Sequence, residues 1–227
     1  MPYRPTERTE ARRAATRDRI LGSAIDQLAD GGYASASVQA IATRAEVATG
    51  TVYRHFPSKS DLFAEAFRHA SARELAVVAE VAADDERPAR ERMAAAVEAF
   101  ARRALASPTR AYALLAEPVD PAVEAERLTF RRGYRDVFAR TIEGGIAAGE
   151  LPPQDALTVA AALVGALGEA LVGPLSPAAH ATDGHEALIA TLVQFCLNAV
   201  PEYAVHSAQW AEAEPERLPT THCALPT

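Results

Sequence analysis

The sequence predicts an all-α protein, and three observations carry that prediction. Long segments repeat apolar residues at three- and four-residue spacing, and none alternates apolar with polar residues for long enough to make a half-buried strand. Alanine, the strongest helix former, is abundant. The 227 residues are 49 % hydrophobic, 23 % charged and 6 % aromatic, which suits a globular chain that fills its core mainly with Ala, Leu and Val.

A first helix is expected from about Glu10 to Asp30, with Ile20, Leu21, Ala24, Ile25 and Leu28 on one stripe and Gly31-Gly32 as its left-handed stop. Ser37 is a good N-cap for a short second helix that buries Val38, Ile41 and Ala42. A third short helix starts near Ala48 and carries Val52 and Phe56 inward. Two short helices joined by so tight a turn make a helix-turn-helix. Pro57 breaks the chain, and Ser58 caps a fourth helix, reaching about Ala83, with Leu62, Phe63, Ala66, Phe67, Ala70 and Val77 inward.

After the turn at Asp84-Asp85-Glu86-Arg87-Pro88, a fifth helix holds Met93, Val97, Phe100 and Ala104 and ends at Ser107-Pro108. A short helix then carries Tyr112, Leu115 and Ala116. Asp120-Pro121 reads as N-cap and first residue of a long helix with Val123, Phe130, Tyr134, Val137 and Phe138 on its face, ended raggedly by Gly144-Gly145 and Gly149. The last two helices, from about Pro153 to Val172 and Asp183 to Val200, are the most apolar. Gly165 and Gly168 would let another helix approach closely, and a helix apolar on most faces needs a partner beyond its own small domain. The expected layout is therefore an N-terminal arm and three-helix helix-turn-helix domain over 1–70, a larger helical domain over 71–203, and an irregular tail over 204–227, with about nine helices.

The net charge of −7 argues against a protein that coats nucleic acid without selectivity, but residues 1–70 carry +2 and the rest −9. Arg4, Arg8, Arg12, Arg13, Arg17 and Arg19 crowd the first twenty residues, as a solvated helix face or as an arm that meets phosphates. Cys196 and Cys223 form no metal spacing and no disulfide framework, as expected in a reducing cytoplasm. No signal segment opens the chain, and the most apolar stretch, Ala156 to Gly168, is 13 residues, too short to span a bilayer. A cytoplasmic protein without membrane contact is expected.

The informative stretch runs from Gly31 to Lys59. Its inward residues are interleaved with outward Thr, Tyr, Arg, His and Lys side chains that no core needs and that can donate to phosphates or base edges. Gly50 in the first turn of a helix costs about 1 kcal/mol of helix propensity, which suits a close backbone approach by a phosphate at a helix N-terminus.

The spacing of Ile20 to Leu28, the Gly32-Tyr33 pair, Ser37-Val38 with Ile41-Ala42, Gly50-Thr51-Val52-Tyr53-Arg54-His55-Phe56, and Ser58-Lys59 with Leu62 resembles the TetR family of bacterial regulators. The resemblance implies a recognition helix from Thr49 to Phe56. Thr49 and Gly50 would face bases or nearby phosphates, Tyr53 and His55 would grip the backbone, and Lys59 would hold another phosphate. Ser37 and Gln39 would reach in from the preceding helix, and base preference would lean on Thr49, Gln39 and Arg44. Ala48 departs from the pattern, since the family often places a polar residue there.

The resemblance further implies a homodimer through the last two long helices, a double-stranded palindromic DNA operator, and a small apolar or amphipathic effector whose binding releases the DNA. Phe100, Tyr112, Phe130 and Tyr134 are the candidate pocket residues, set against the plainer reading of an aromatic core stripe. No cofactor and no metal are expected. The histidines His55, His69, His180, His185, His206 and His222 lack a metal-binding pair with a general base. Glu169, an acid on an apolar helix, has no carboxylate partner for acid–base work. The alternative to a regulator is a helical interaction protein that keeps the fold without reading DNA.

Overall fold

In the computed structural model, residues 6–178 and 184–202 are described, and they form nine helices. Helix α1 spans Glu7–Ser35, α2 Val38–Arg44, α3 Thr49–His55, α4 Lys59–Ala82 and α5 Ala89–Ala106; α6 spans Pro108–Leu115, α7 Pro121–Ala147, α8 Ala156–Leu175 and α9 His185–Ala199. The all-α expectation holds, including the tight pair α2–α3 near the amino end. The expected tail over 204–227 lies outside the described residues, as do Arg4, His180, His206, His222 and Cys223.

Two apolar cores organise these helices. The first gathers Ile20, Leu28, Ile41, Val52, Phe56, Leu62, Phe63 and Phe67 from α1 to α4, and is closed by Ala113 of α6 and Val123 of α7. The second gathers Val78, Met93, Val97, Phe138, Ile142, Leu163, Leu167, Leu171, Ile189 and Cys196 from α4, α5, α7, α8 and α9. Helix α4 therefore serves both, its first half through Leu62, Phe63 and Phe67 and its last turns through Val78 and Ala82.

Local chemistry explains the element boundaries. The Ser37 hydroxyl accepts the Ala40 N–H at 3.1 Å and the Ser58 hydroxyl accepts the Asp61 N–H at 3.0 Å, each filling an orphan donor of a first turn. The turn between α2 and α3 puts Glu46 at φ 55, a left-handed conformation that non-glycine residues seldom adopt. Gly32, at φ 74, breaks α1 as expected, although one further turn follows it to Ser35.

Several expectations need correction. Val78, not Val77, is the fully buried position of late α4. Pro108 opens α6 as well as ending α5, since its missing N–H costs nothing in a first turn. Asp120 precedes α7 but its side chain makes no cap bond; the carboxylate accepts the Tyr33 hydroxyl instead. Helix α7 runs through Gly144 and Gly145 and stops before Gly149, at φ 74; Gly145 serves close packing and not a helix stop, since a Cβ there would lie 2.6 Å from the Ala89 Cβ. Helix α8 has 20 residues and a mean hydropathy of 1.8, so by length and composition it is long enough to cross a membrane, which a count of 13 residues had missed. Its Leu163, Leu167 and Leu171 sit in the second core.

Candidate functional site

The outward face of α3 and its neighbours is the first candidate site. Val52 turns inward at 1 % exposure while Tyr53, one position on, is 48 % exposed, so the helix presents a polar face by simple periodicity. Gly50 is exposed and a Cβ built there meets nothing within 4 Å, which leaves its backbone open to an incoming group. The Thr49 hydroxyl donates to Gln39 Oε1 at 2.8 Å, joining the start of α3 to α2 and orienting both side chains. Lys59 is the chain's only lysine, and its ammonium lies 4.9 Å from the Tyr33 ring centroid and 5.6 Å from that of Phe63. This cation–π seat holds the charge near the first turn of α4 while leaving its donors outward.

Two of the expected residues are already engaged. Ser37 spends its hydroxyl on the α2 cap. Arg44 forms an ion pair with Asp30 at 2.6 Å, so a nucleic acid would have to compete with that carboxylate for it.

The structure adds an element that motif reading left unplaced. Thr9, Arg12, Arg13, Thr16 and Arg19 of α1 form one wall of a surface groove whose other wall is Glu46, Val47, Thr51, Arg54 and His55. The arginine run was visible in the sequence, but its alignment with the carboxyl end of α3 depends on the crossing of two helices. Burial, and then the guanidinium groups of Arg13, Arg17 and Arg54, hold the His55 imidazole below the usual histidine range. Arg17 itself pairs with Glu65 and stacks over the Phe56 ring at 4.8 Å.

A second site is a cavity of about 370 Å³ walled by α4, α5, α6, α7 and α8. Phe100, Phe130 and Tyr134, three of the four expected aromatics, line it, with the Phe100 and Tyr134 rings edge-to-face at 5.2 Å. Tyr112 is not among the lining residues and packs against the second core; on α6 the cavity is faced by Arg110, Ala111, Leu114 and Leu115. Glu169 of the apolar helix α8 is exposed and lines the cavity.

Polar groups that sequence reading missed gather at one side of this cavity. The Glu74 carboxylate accepts from Arg103 Nε at 2.5 Å and lies 3.4 Å from the Arg110 guanidinium. Burial, and then the Glu74 charge, push the Tyr134 hydroxyl far above the usual phenol range, so it stays protonated. These residues lie up to 60 positions apart in sequence (Glu74 to Tyr134), and no local pattern announces them.

The cavity reaches the helix-turn-helix unit through the α6–α7 connection. Arg127, buried in the cavity wall, donates to the carbonyls of Ala113 at 3.0 Å, Leu114 at 3.1 Å and Glu117 at 2.7 Å, holding the end of α6. Glu117, 8 % exposed, accepts the Tyr33 and Ala34 N–H groups at 2.7 and 2.9 Å. A Cβ on Gly32 would lie 2.8 Å from that carboxylate, so glycine is required there for space as well as for its φ of 74.

A helix-turn-helix with a basic flank, carried on a larger helical body that encloses an apolar cavity, defines a transcription regulator of the helix-turn-helix class. The family model "Bacterial regulatory proteins, tetR family" matches residues 20–66, and the model "Tetracyclin repressor-like, C-terminal domain" matches residues 86–171. Between them these matches span more than half of the chain, which belongs to the TetR family of bacterial regulatory proteins.

The chain is 46 % identical over 50 residues to the HTH-type transcriptional repressor KstR of Rhodococcus jostii strain RHA1, a match that covers 22 % of this chain and 24 % of that protein. The matched segment thus spans about a quarter of the curated relative. Among solved structures, the fatty acid degradation regulator FadR from Bacillus halodurans superposes with a TM-score of 0.67 at 21 % identity, covering 80 % of this chain and 94 % of that one. FadR from Bacillus subtilis, solved in complex with stearoyl-CoA, gives 0.66 at 18 % identity, covering 81 % and 99 %. These likenesses establish a shared fold.

Proposed function

We propose that this protein is a cytoplasmic, ligand-responsive repressor that binds a palindromic DNA operator as a homodimer and is released by a small apolar or amphipathic effector. One observation carries the reading: His55, Thr51 and Arg54 of α3 share a surface groove with Arg12, Arg13 and Arg19 of α1, while Gly50 and Tyr53 of the same helix are exposed beside it in sequence. Such a surface offers hydroxyl, imidazole and cationic donors to phosphates and base edges, and has little use in a protein-packing role.

In this reading the first core, with the arm of α1, is the DNA-binding domain up to about residue 70, and the second core is the effector and dimerisation domain. Thr49 and Gln39 read bases, Gly50 lets the backbone approach a phosphate, Tyr53, His55 and Lys59 hold the strand, and Arg12, Arg13, Arg19 and Arg54 extend the contact. Ser37 supports this face by capping α2, and Arg44 joins it by exchanging Asp30 for a phosphate. Leu157 of α8 and Phe195 of α9, 50 % and 49 % exposed, supply the apolar dimer seam. Gly165, with nothing within 4 Å of a built Cβ, leaves room there for a partner helix, whereas Gly168 faces the cavity. Two recognition helices then enter successive major grooves about 34 Å apart.

An effector in the cavity acts by preferring a conformer whose helix separation does not fit the operator, and lowers DNA affinity by no more than that preference. The FadR structure with stearoyl-CoA, of the same fold, is compatible with an amphipathic occupant. Selection of bound duplexes from a random pool is the test: enrichment of one inverted repeat is expected. Equal retention of all duplexes, or none, overturns the reading.

A further inference from the structure

We infer that the cavity between α4 and α8 is built for an amphipathic monocarboxylate, whose anionic head is received by Arg110 and the Tyr134 hydroxyl and whose apolar body lies along Phe100, Val164 and Leu167. The inference rests on the cavity being the effector site and adds the charge and shape of what fills it.

Charge decides the head group. Glu74 is the counter-ion of Arg103, bound through a hydrogen bond of 2.5 Å, and it contacts Arg110 only at 3.4 Å. Beyond that one long contact with Glu74, the Arg110 guanidinium makes no hydrogen bond among the described residues, so most of its five donors face the cavity or solvent. Two guanidinium groups share a single carboxylate at that side of the cavity, and the other lining charges unpaired among the described residues, the exposed Arg131 and Glu169, offset each other, which leaves one net positive charge. Tyr134 stands beside the same Glu74 and stays protonated, so its hydroxyl is a donor as well. Partly desolvated donors of this kind favour an acceptor that carries a full negative charge. A cation would meet Arg103 and Arg110 unfavourably, and a neutral head group would give Arg110 only a weaker, uncharged acceptor.

Shape decides the rest. Val78, Phe100, Phe138, Val164 and Leu167 supply an apolar wall continuous with the Phe100–Tyr134 ring pair. One surplus charge calls for a monoanion, which selects a carboxylate over a phosphate monoester. Arg127 also lines the cavity, but its guanidinium is occupied by Glu124 at 2.5 Å and by three carbonyls, so it serves the wall and not the ligand.

The test compares four amphiphiles of one chain length below their micelle-forming concentrations: dodecanoate, dodecanol, dodecyl phosphate and dodecyltrimethylammonium, titrated calorimetrically into the full-length protein. Dodecanoate is expected to bind at least about tenfold tighter than dodecanol, as a charge-assisted contact requires. Arg110→Gln is expected to shrink that preference below about threefold through loss of dodecanoate affinity, with a helical circular dichroism equal to that of the parent chain showing that the variant is folded. Glu74→Gln is expected to strengthen dodecanoate binding several-fold, and Val164→Trp to abolish binding of all four by filling the cavity. Equal affinity for dodecanol, tighter binding of the phosphate or the cation, a preference that survives Arg110→Gln, or binding that survives Val164→Trp would each overturn the inference. Release of operator duplex separates the two readings. Release by dodecanol but not by dodecanoate overturns this inference alone, whereas tight dodecanoate binding with unchanged duplex affinity overturns the effector role and leaves the ligand class standing.

Discussion

The Glu117 carboxylate receives the backbone N–H of Tyr33 at 2.7 Å, across 84 positions of sequence, and so fastens the end of α1 to the loop that leaves α6. The same carboxylate takes the Ala34 N–H, while the Tyr33 hydroxyl donates to Asp120 and its ring packs edge-on against Phe63 at 5.2 Å. The first core is therefore tied to the α6–α7 connection by one polar joint.

Glu117→Gln is expected to cost about 1–3 kcal/mol of stability. The amide presents one acceptor oxygen to two buried N–H groups and turns an N–H₂ toward a donor. Urea unfolding should show a lower midpoint at unchanged slope. A midpoint equal to that of the parent chain would mean that the joint contributes nothing.

Lys59→Met keeps most of the apolar stem and removes the charge. Duplex affinity should fall at low salt, and the slope of log K against log salt should become shallower by roughly one for each protomer's lost phosphate contact. Anisotropy titrations at several salt concentrations read this directly. An unchanged slope would remove Lys59 from the interface.

His55 gives a pH signature. Its imidazole is held below the ordinary histidine range in the free protein by burial and then by its arginine neighbours, and a phosphate would raise it. DNA binding should therefore take up protons, with affinity increasing as pH falls from about 7.5 through the histidine range, by at most roughly tenfold per pH unit per protomer. His55→Gln should flatten the profile. For folding alone the sign is opposite: the unfolded chain binds that proton more readily, so His55 lowers stability as pH drops below 6.5.

Replacing Leu157 and Phe195 together with Glu should halve the mass measured by light scattering while leaving the helical circular dichroism intact. Duplex affinity should fall on the order of a hundredfold, because two half-sites no longer bind as one ligand. A variant that keeps the parent mass would place the dimer seam elsewhere.

What the sequence disclosed follows from range. The caps at Ser37 and Ser58, the break at Gly32 and the inward Val52 beside outward Tyr53 are decided within a turn or two, and each was legible. Asp120 looked like a cap because it precedes Pro121, yet a distant Tyr33 claims its carboxylate. The same limit applies in the cavity: aromatic spacing pointed to Phe100, Phe130 and Tyr134, but also to Tyr112, and it was silent on Arg110 and Glu74. Helix rotation of roughly 100° separates Ala111 from Tyr112 and roughly 200° separates Arg110 from it, and only the packing of α6 sets that phase.

With its 22 other cationic side chains all arginine, the protein offers reagents selective for primary amines a single side-chain target, and that target rests against the Tyr33 ring. Reductive methylation with a carbon-13 label would therefore install one side-chain resonance, already shifted by the ring current. Its movement would report, without further engineering, each arrival and departure of a polyanion at the start of α4.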